Sequence, residues 1–283
     1  MADRDLTPRD PSLTALFGVM PYSRTTLAFI LSLLGILGML TAPALAGGPG
    51  PMVAAATSLR DALPELADAF AAEDGSKPRL SFGASGNLRR QIAQGAPFEV
   101  FLSADETFVL DLAREGHARD EGAIYAVGRL AILVPKGSKL SPDGSLADLV
   151  KAVDDGRLRR LAIANPEHAP YGRAARDALE QLGLWERIQD KLVIGENVSQ
   201  AAQFAATGAA DAGLVAYSLA LSPRLEQCCT RAPEAADLHQ PVHQRGALTS
   251  DASQGAERLF AFILGPRGRA ILERRGFGVP AGN

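Results

Sequence analysis

Short apolar runs alternate with segments of helical periodicity over most of the chain. The first run, at 52–56, has the length of a buried strand, and the apolar positions after it recur three or four residues apart. This alternation predicts an α/β fold. The predicted strands lie at 52–56, 80–82, 100–103, 130–134, 161–164, 192–194 and 214–216. Helical patterns occupy 59–70, 88–92, 174–182, 198–204 and 256–264, and a last one ends near Gly276.

The order of these elements predicts two lobes. The apolar run at 130–134 begins a second set of alternating strands and helices, and the C-terminal helical patterns are expected to return to the first set. We therefore assign residues 47–130 and 240–283 to lobe 1 and residues 131–239 to lobe 2.

The N-terminus has the pattern of a secretory signal peptide. Arg24 precedes an apolar run at 27–40, which is short for a membrane span, and small residues at Ala44-Leu45-Ala46 form a cleavage site. We expect residues 1–46 to be removed and the mature protein to be periplasmic. A translation start at Met20 is an alternative, because the polar segment before Arg24 is unusually long.

Composition and charge exclude several classes of function. The 283 residues include 29 basic and 32 acidic side chains, and the net charge of −3 offers no global positive field to nucleic acid or an anionic membrane. The two cysteines are the neighbours Cys228 and Cys229, which we interpret as free thiols rather than a strained vicinal disulfide. No histidine or further cysteine stands at metal-ligand spacing around them. Because the net charge is negative, any bound anion must be held by the local geometry of its site.

Hydroxyl, phenol and amide groups follow the strands at four predicted helix starts. In an open α/β sheet, ligands bind beyond the carboxyl ends of strands, and unpaired amides at helix starts attract anions. The candidates at these starts are Thr57 and Ser58, Ser85 in the glycine-flanked turn 83–87, Tyr171, and Val198 after Asn197.

Four such starts together indicate a site for an oxyanion without a countercharge. Each alone is most simply an N-cap or a turn, but two fall in each predicted lobe. A fully ionised tetrahedral dianion has only acceptors and is satisfied by donors, whereas protonated phosphate needs an acceptor for its hydrogen. Since no acidic residue lies in the four turns, a fully ionised oxyanion is favoured. Sulfate differs from molybdate and tungstate by size, which the sequence leaves open.

Six segments, read together, resemble the periplasmic molybdate-binding proteins of molybdate ABC importers over roughly residues 52–280. They are AAATSL at 54–59, SFGASGNL at 81–88, QIAQGAP at 91–97, FLSAD at 101–105, NPEHAPYG at 165–172 and GLVA at 213–216. The resemblance implies a two-lobed periplasmic binding protein fold of type II. Each lobe is then a mixed β-sheet flanked by helices, and the ligand cleft lies between the lobes.

The resemblance also implies which residues bind the oxyanion. Carried over position by position, they are Thr57, Ser58, Ser85, Tyr171 and the backbone amide of Val198. In some members a tyrosine directly after the equivalent of Gly213-Leu214-Val215 contacts the anion, whereas this chain has Ala216 there. We therefore assign the phenol to Tyr171 and leave the role of Tyr217 open.

The expected function is capture of molybdate or tungstate and delivery to an ABC importer. Molybdenum or tungsten would be bound only as its oxyanion, with no cofactor and no catalytic residue. The expected partner is the permease in the cytoplasmic membrane, with no nucleic acid, and the binding protein is expected to be a monomer.

Three alternatives compete with this interpretation. The first is binding of sulfate or another small oxyanion. The second is a hydrolase using Ser58 or Ser85, but the turn at Ser85 lacks a Gly-x-Ser-x-Gly elbow because Asn87 occupies the last position. The third is the effector module of a regulator, which the absence of a helix-turn-helix pattern and the export signal disfavour. We interpret Asp105 as a helix cap and His168 as a residue that positions its loop.

Overall fold

Two five-stranded sheets form the framework of the protein. The computed structural model describes residues 50–233 and 237–280. The predicted signal peptide at 1–46 and the alternative start at Met20 lie outside the described residues. Among the helices of the described ranges, none has the length and apolar character needed to cross a membrane.

The elements follow the βα alternation that the hydrophobic pattern predicts. The strands are β1 (Met52–Ala56), β2 (Arg79–Gly83), β3 (Val100–Leu102), β4 (Ala123–Gly128), β5 (Leu130–Pro135), β6 (Leu161–Ala164), β7 (Leu192–Gly195), β8 (Ala212–Ala216), β9 (Cys229–Pro233) and β10 (Val242–Leu248). The helices are α1 (Leu63–Asp74), α2 (Ser85–Ala93), α3 (Glu106–Arg114), α4 (Ala147–Asp154), α5 (Pro170–Gln181), α6 (Val198–Ala206), α7 (Tyr217–Ala220), α8 (Pro223–Cys228), α9 (Gln254–Leu264) and α10 (Pro266–Arg274). Short 3₁₀ turns occupy Thr57–Leu59, Trp185–Arg187 and Gln189–Lys191.

Both sheets are mixed and share one arrangement. Their strand orders are β2-β1-β3-β10-β4 and β7-β6-β8-β5-β9. In the first, β1 is parallel to β2 and β3, while β10 is antiparallel to β3 and β4. In the second, β6 is parallel to β7 and β8, while β5 is antiparallel to β8 and β9. The prediction of two mixed sheets flanked by helices is confirmed.

The chain passes between the two sheets twice. Arg129 alone separates β4 from β5, and the return runs from β9 to β10. Because β4 pairs with β10 and β5 pairs with β9, both passages connect the same two neighbouring pairs of strands. We name the first sheet with α1–α3, α9 and α10 lobe 1, and the second sheet with α4–α8 lobe 2. The boundaries 47–130, 131–239 and 240–283 stay a prediction.

The first helix begins later than its periodicity predicts. A 3₁₀ turn, Thr57–Leu59, occupies the expected start, and α1 begins at Leu63. Pro64 lies in the first turn of α1, where its missing N–H removes no helical hydrogen bond, and Gly75 ends the helix with φ of 79°. The consequence is that Thr57 and Ser58 lie in a tight turn at the carboxyl end of β1.

The hydrophobic pattern did not predict β4, β9, β10, α3, α4, α7 or α8. The clearest case is β10, which carries His243, Gln244 and Arg245 in its middle although it lies inside the sheet between β3 and β4. Gln244 is fully buried there. A buried polar side chain removes the apolar signal of an interior strand, and it requires hydrogen-bond partners.

Apolar side chains fill the space between sheets and helices in each lobe. Lobe 1 has a buried cluster on each face of its sheet, and lobe 2 has one large cluster. Ala56, Ala84 and Ala104 of lobe 1 pack into the lobe 2 cluster. The two cores therefore meet where the helix starts of the two lobes face each other.

Two paired isoleucines allow a matched test of this core. Ile163 of β6 is fully buried, whereas its register partner Ile194 of β7 is 45% exposed. We expect Ile163→Ala to lower the free energy of unfolding of residues 47–283 by about 2–5 kcal/mol, because it leaves a cavity. Ile194→Ala should change it by about 0.5 kcal/mol or less. Urea denaturation measures both, and equal losses would contradict the placement of β6 in the core.

Candidate functional site

The helix starts of both lobes meet around one small cavity. Every residue that the sequence analysis selected for the site lies in its wall, around about 200 Å³ of empty space that is partly open to solvent. The wall comprises Ala56, Thr57, Ser58, Gly83, Ala84, Ser85, Ala104, Ala169, Pro170, Tyr171, Asn197 and Val198. None of these residues carries a charge.

Two buried serines give the lobe 1 side of the cavity its hydroxyl groups. The Ser58 Oγ atom has no hydrogen-bond partner among the described residues, although its side chain is buried. Ser85 Oγ accepts a hydrogen bond from Ala104 N–H at 3.0 Å, so its own hydrogen remains available. A buried hydroxyl left unpaired costs about 1–3 kcal/mol, and an acceptor in the cavity would remove that cost.

The start of α6 presents one uncapped amide. Asn197 is the N-cap, and its Oδ1 accepts from Ser199 N–H and Gln200 N–H, both at 3.1 Å. The cap carbonyl accepts from Gln200 and Ala201. The first amide of the helix, that of Val198, donates to neither of these oxygens and lies in the cavity wall. Since helix N-termini carry partial positive charge, this amide is suited to an anion.

Tyr171 in the first turn of α5 supplies the phenol. Its side chain is 2% exposed, and its oxygen accepts a hydrogen bond from Gln244 Nε2 at 2.9 Å. Burial raises the pKa of Tyr171 above the ordinary value of 10.0, against smaller opposing effects of neighbouring Ser58 and of Gln244. The phenol therefore stays protonated at neutral pH and can donate.

Protein atoms of the two lobes also bond directly to each other beside the cavity. Gly86 N–H donates to His168 O at 3.1 Å, and Asn87 Nδ2 donates to Glu196 Oε1 at 2.9 Å. On the other side, Ser218 Oγ donates to Ser58 O at 2.8 Å. The glycine permits this close approach, because a Cβ at position 86 would lie 3.1–3.2 Å from His168 atoms and would press against them. These contacts hold the helix starts face to face.

An ion pair joins the lobes at the edge of the cleft. Arg173 of α5 pairs with Asp105 and lies over the Phe108 ring, with its guanidinium carbon 5.3 Å from the ring centroid. Asp105 is also the N-cap of α3 and accepts from Thr107 N–H at 2.7 Å. The prediction that Asp105 is a helix cap is confirmed, and the residue has this second role between lobes.

The remaining conspicuous residues lie outside the cavity. Tyr217 begins α7, with the Arg129 guanidinium 4.9 Å from its ring centroid. Cys228 and Cys229 are free thiols with their sulfurs 3.5 Å apart, and burial raises the pKa of Cys229 to about 12. His168 interacts through Nε2 with Glu196 O at 3.1 Å. Within residues 50–233 and 237–280, no cluster of histidine, cysteine and acidic side chains could hold a metal ion.

Sequence reasoning missed two residues that support the phenol. Gln244 bonds to it from β10, and Gly128 at the end of β4 leaves room for it, because a Cβ there would collide with the phenol oxygen. Neither stands at a helix start. The one sequence signal for this pair is Gln244 itself, a glutamine inside a segment long enough to form a strand.

Comparisons with known proteins show similarity over most of the chain. The model of the family of bacterial extracellular solute-binding proteins matches residues 51–278. The molybdate-binding protein ModA of Rhodobacter capsulatus is 35% identical over 238 residues, which cover 83% of this chain and 90% of that protein. The solved Azotobacter vinelandii periplasmic molybdate-binding protein aligns with a TM-score of 0.73 at 30% identity, covering 82% of this chain and 100% of that one.

A more distant structure shares the fold. The sulfate-binding protein SubI from Mycobacterium tuberculosis H37Rv aligns with a TM-score of 0.70 at 13% identity, covering 82% of this chain and 88% of that one. At this identity the likeness concerns the fold alone.

The buried phenol of Tyr171 gives a test of the site without any ligand. Subtracting the alkaline titration of Tyr171→Phe from that of the parent should leave a phenolate signal with its midpoint above pH 10, because burial opposes ionisation. The unfolded chain loses this proton first, so the stabilising effect of the buried phenol is present below pH 10 and declines above it. Ultraviolet absorbance after rapid pH jumps, read before unfolding begins, measures the midpoint. A midpoint at or below that of free tyrosine would contradict the buried placement.

Proposed function

The chain belongs to the family of bacterial extracellular solute-binding proteins, and we propose that it captures molybdate or tungstate outside the cytoplasmic membrane for an ABC importer. The observation that carries this proposal is the wall of the cavity, where donors from three helix starts and from the 3₁₀ turn Thr57–Leu59 converge and no charged side chain is present. The molybdate-binding relatives, at 35% and 33% identity, support the choice of ligand.

The proposed ligand set is Thr57, Ser58, Ser85, Tyr171 and the amide of Val198. Each group offers a hydrogen, and a tetrahedral dianion offers four oxygen acceptors, so donors and acceptors match without a countercharge. Helix starts add partial positive charge at the same place. Because the site is buried, hydrogen bonds to a charged ligand are stronger than the same bonds in water.

Capture requires the lobes to separate and close. In the proposed cycle the oxyanion enters between separated lobes, and the serines of lobe 1 engage it together with Tyr171 and Val198 of lobe 2. Closure then brings the lobes into the arrangement that a membrane permease recognises. We propose that the protein works by binding alone, as a periplasmic monomer without cofactor or catalysis.

Calorimetry with four anions tests the choice of ligand. Residues 47–283 should bind molybdate and tungstate tightly, sulfate more weakly because it is smaller, and phosphate least because it retains a proton. Tight binding of sulfate without a response to molybdate would replace the proposal with the sulfate alternative. Hydrolysis of esters or phosphoesters by the same preparation would support an enzyme instead.

Removing one hydroxyl tests the assignment of the cavity. We expect Ser85→Ala to weaken molybdate binding by about 1–3 kcal/mol, because one donor to a buried charge is lost. Ser199→Ala is the matched control, since Ser199 lies in the first turn of α6 but outside the cavity wall. Isothermal titration of both variants measures the difference. Equal affinities for Ser85→Ala and the parent would place the binding site elsewhere.

A further inference from the structure

A buried chain of three polar side chains leads to the cavity from lobe 1. Tyr125 of β4 donates its O–H to Gln244 Oε1 at 2.8 Å, and Gln244 Nε2 donates to the Tyr171 oxygen at 2.9 Å. The exposed fractions of Tyr125, Gln244 and Tyr171 are 2%, 0% and 2%. Both distances are the usual ones for their O–H and N–H donors.

The direction of these bonds determines where the phenol hydrogen of Tyr171 can go. The amide N–H of Gln244 occupies a lone pair on the phenol oxygen, and the amide oxygen is engaged by Tyr125. Tyr171 therefore has no acceptor in Gln244, and its hydrogen is directed to the cavity, whose wall includes the neighbouring Ser58 hydroxyl. All donors in the chain run the same way, so each bond polarises the next and strengthens the last donor.

The surroundings hold this arrangement in place. Gly128 leaves the space that the phenol and the amide fill, since a Cβ there would collide with Tyr171 and lie 2.8 Å from Gln244 Nε2. Ser103 O lies 3.1 Å from the Tyr125 oxygen and is a second, longer contact for the same single hydrogen, which Gln244 Oε1 accepts at 2.8 Å. Burial raises the pKa of the Tyr125 phenol well above its ordinary value, so this end of the chain keeps its proton.

From this geometry we propose that Gln244 is a specificity-determining positioning residue that fixes Tyr171 as a hydrogen-bond donor to the ligand. It touches the phenol and not the cavity, whose wall does not include it. The inference rests on the proposed function, because it concerns how that site selects its anion. A phenol held as a donor favours an oxyanion without a proton and disfavours arsenate or phosphate, which keep at least one proton near neutral pH.

Gln244→Glu reverses the last bond and tests the proposal. A carboxylate only accepts, so Tyr171 would donate to it and present a lone pair to the cavity. We expect the ratio of molybdate affinity to arsenate affinity to fall by about tenfold or more relative to the parent. Gln244→Met, which carries no charge and no amide, should lower the ratio less, because the phenol then rotates freely. Calorimetry with molybdate, arsenate and phosphate measures the ratios.

The outcomes separate this inference from the proposed function. A parent protein that binds none of the anions refutes the proposed function. If the parent binds molybdate and Gln244→Glu keeps the parent ratio, the amide does not orient the phenol and the inference is wrong. Equal loss of affinity for every anion in both variants would show that Gln244 has only a structural role, and the inference would again be wrong.

A spectroscopic readout needs no ligand. The Raman doublet of tyrosine distinguishes a phenol that accepts a hydrogen bond from one that donates. The Tyr171 contribution, obtained by subtracting Tyr171→Phe, should show acceptance in the parent and donation in Gln244→Glu. Unchanged doublets in Gln244→Glu would overturn the inference whether or not the parent binds an anion.

Discussion

Buried hydrogen-bond donors without acceptors are the constraint on which the rest of this structure depends. Ser58 Oγ is buried without a partner, Ser85 keeps its hydrogen, and the amide of Val198 is left out of the Asn197 cap. Such groups are tolerated only where neighbouring structure compensates for them or a ligand supplies acceptors. The duplicated sheet arrangement meets this need, because each lobe directs the ends of two strands toward the other. In lobe 1 these ends lead into the 3₁₀ turn after β1 and the start of α2, and in lobe 2 into the starts of α5 and α6. The apolar contacts of Ala56, Ala84 and Ala104 hold those starts together.

Much of this could be predicted from the order of residue types. Strands such as Leu161–Ala164 are continuous apolar runs because both faces are covered, and helix starts are marked by Asn197, Pro170 or glycine-flanked Ser85. The candidate residues that line the cavity were selected by the rule that ligands lie beyond strand ends. Local signals of this kind need no knowledge of how distant segments pair.

The parts that escaped prediction depend on pairings far apart in the sequence. From the sequence alone, Gln244 has the character of a surface residue. Its burial follows from the position of β10 between β3 and β4, where its amide bonds to two phenols. Gly128 is an ordinary strand end until Tyr171 lies against it. The 3₁₀ turn at Thr57–Leu59 depends on how the chain leaves β1, which periodicity does not encode. In each case a tertiary contact overrides what the local pattern indicates.

The contacts between lobes affect how readily the protein closes without a bound anion. The bonds from Gly86 to His168, from Asn87 to Glu196 and from Ser218 to Ser58, with the ion pair of Arg173 and Asp105, involve protein atoms alone. In the proposed cycle each contact lowers the free energy of the closed form with or without a bound anion. Together they raise the fraction of the protein that is closed without a ligand. Most are single hydrogen bonds or partly exposed pairs of modest strength. In the proposed cycle, contacts of such modest strength leave closure to depend mainly on the bound anion.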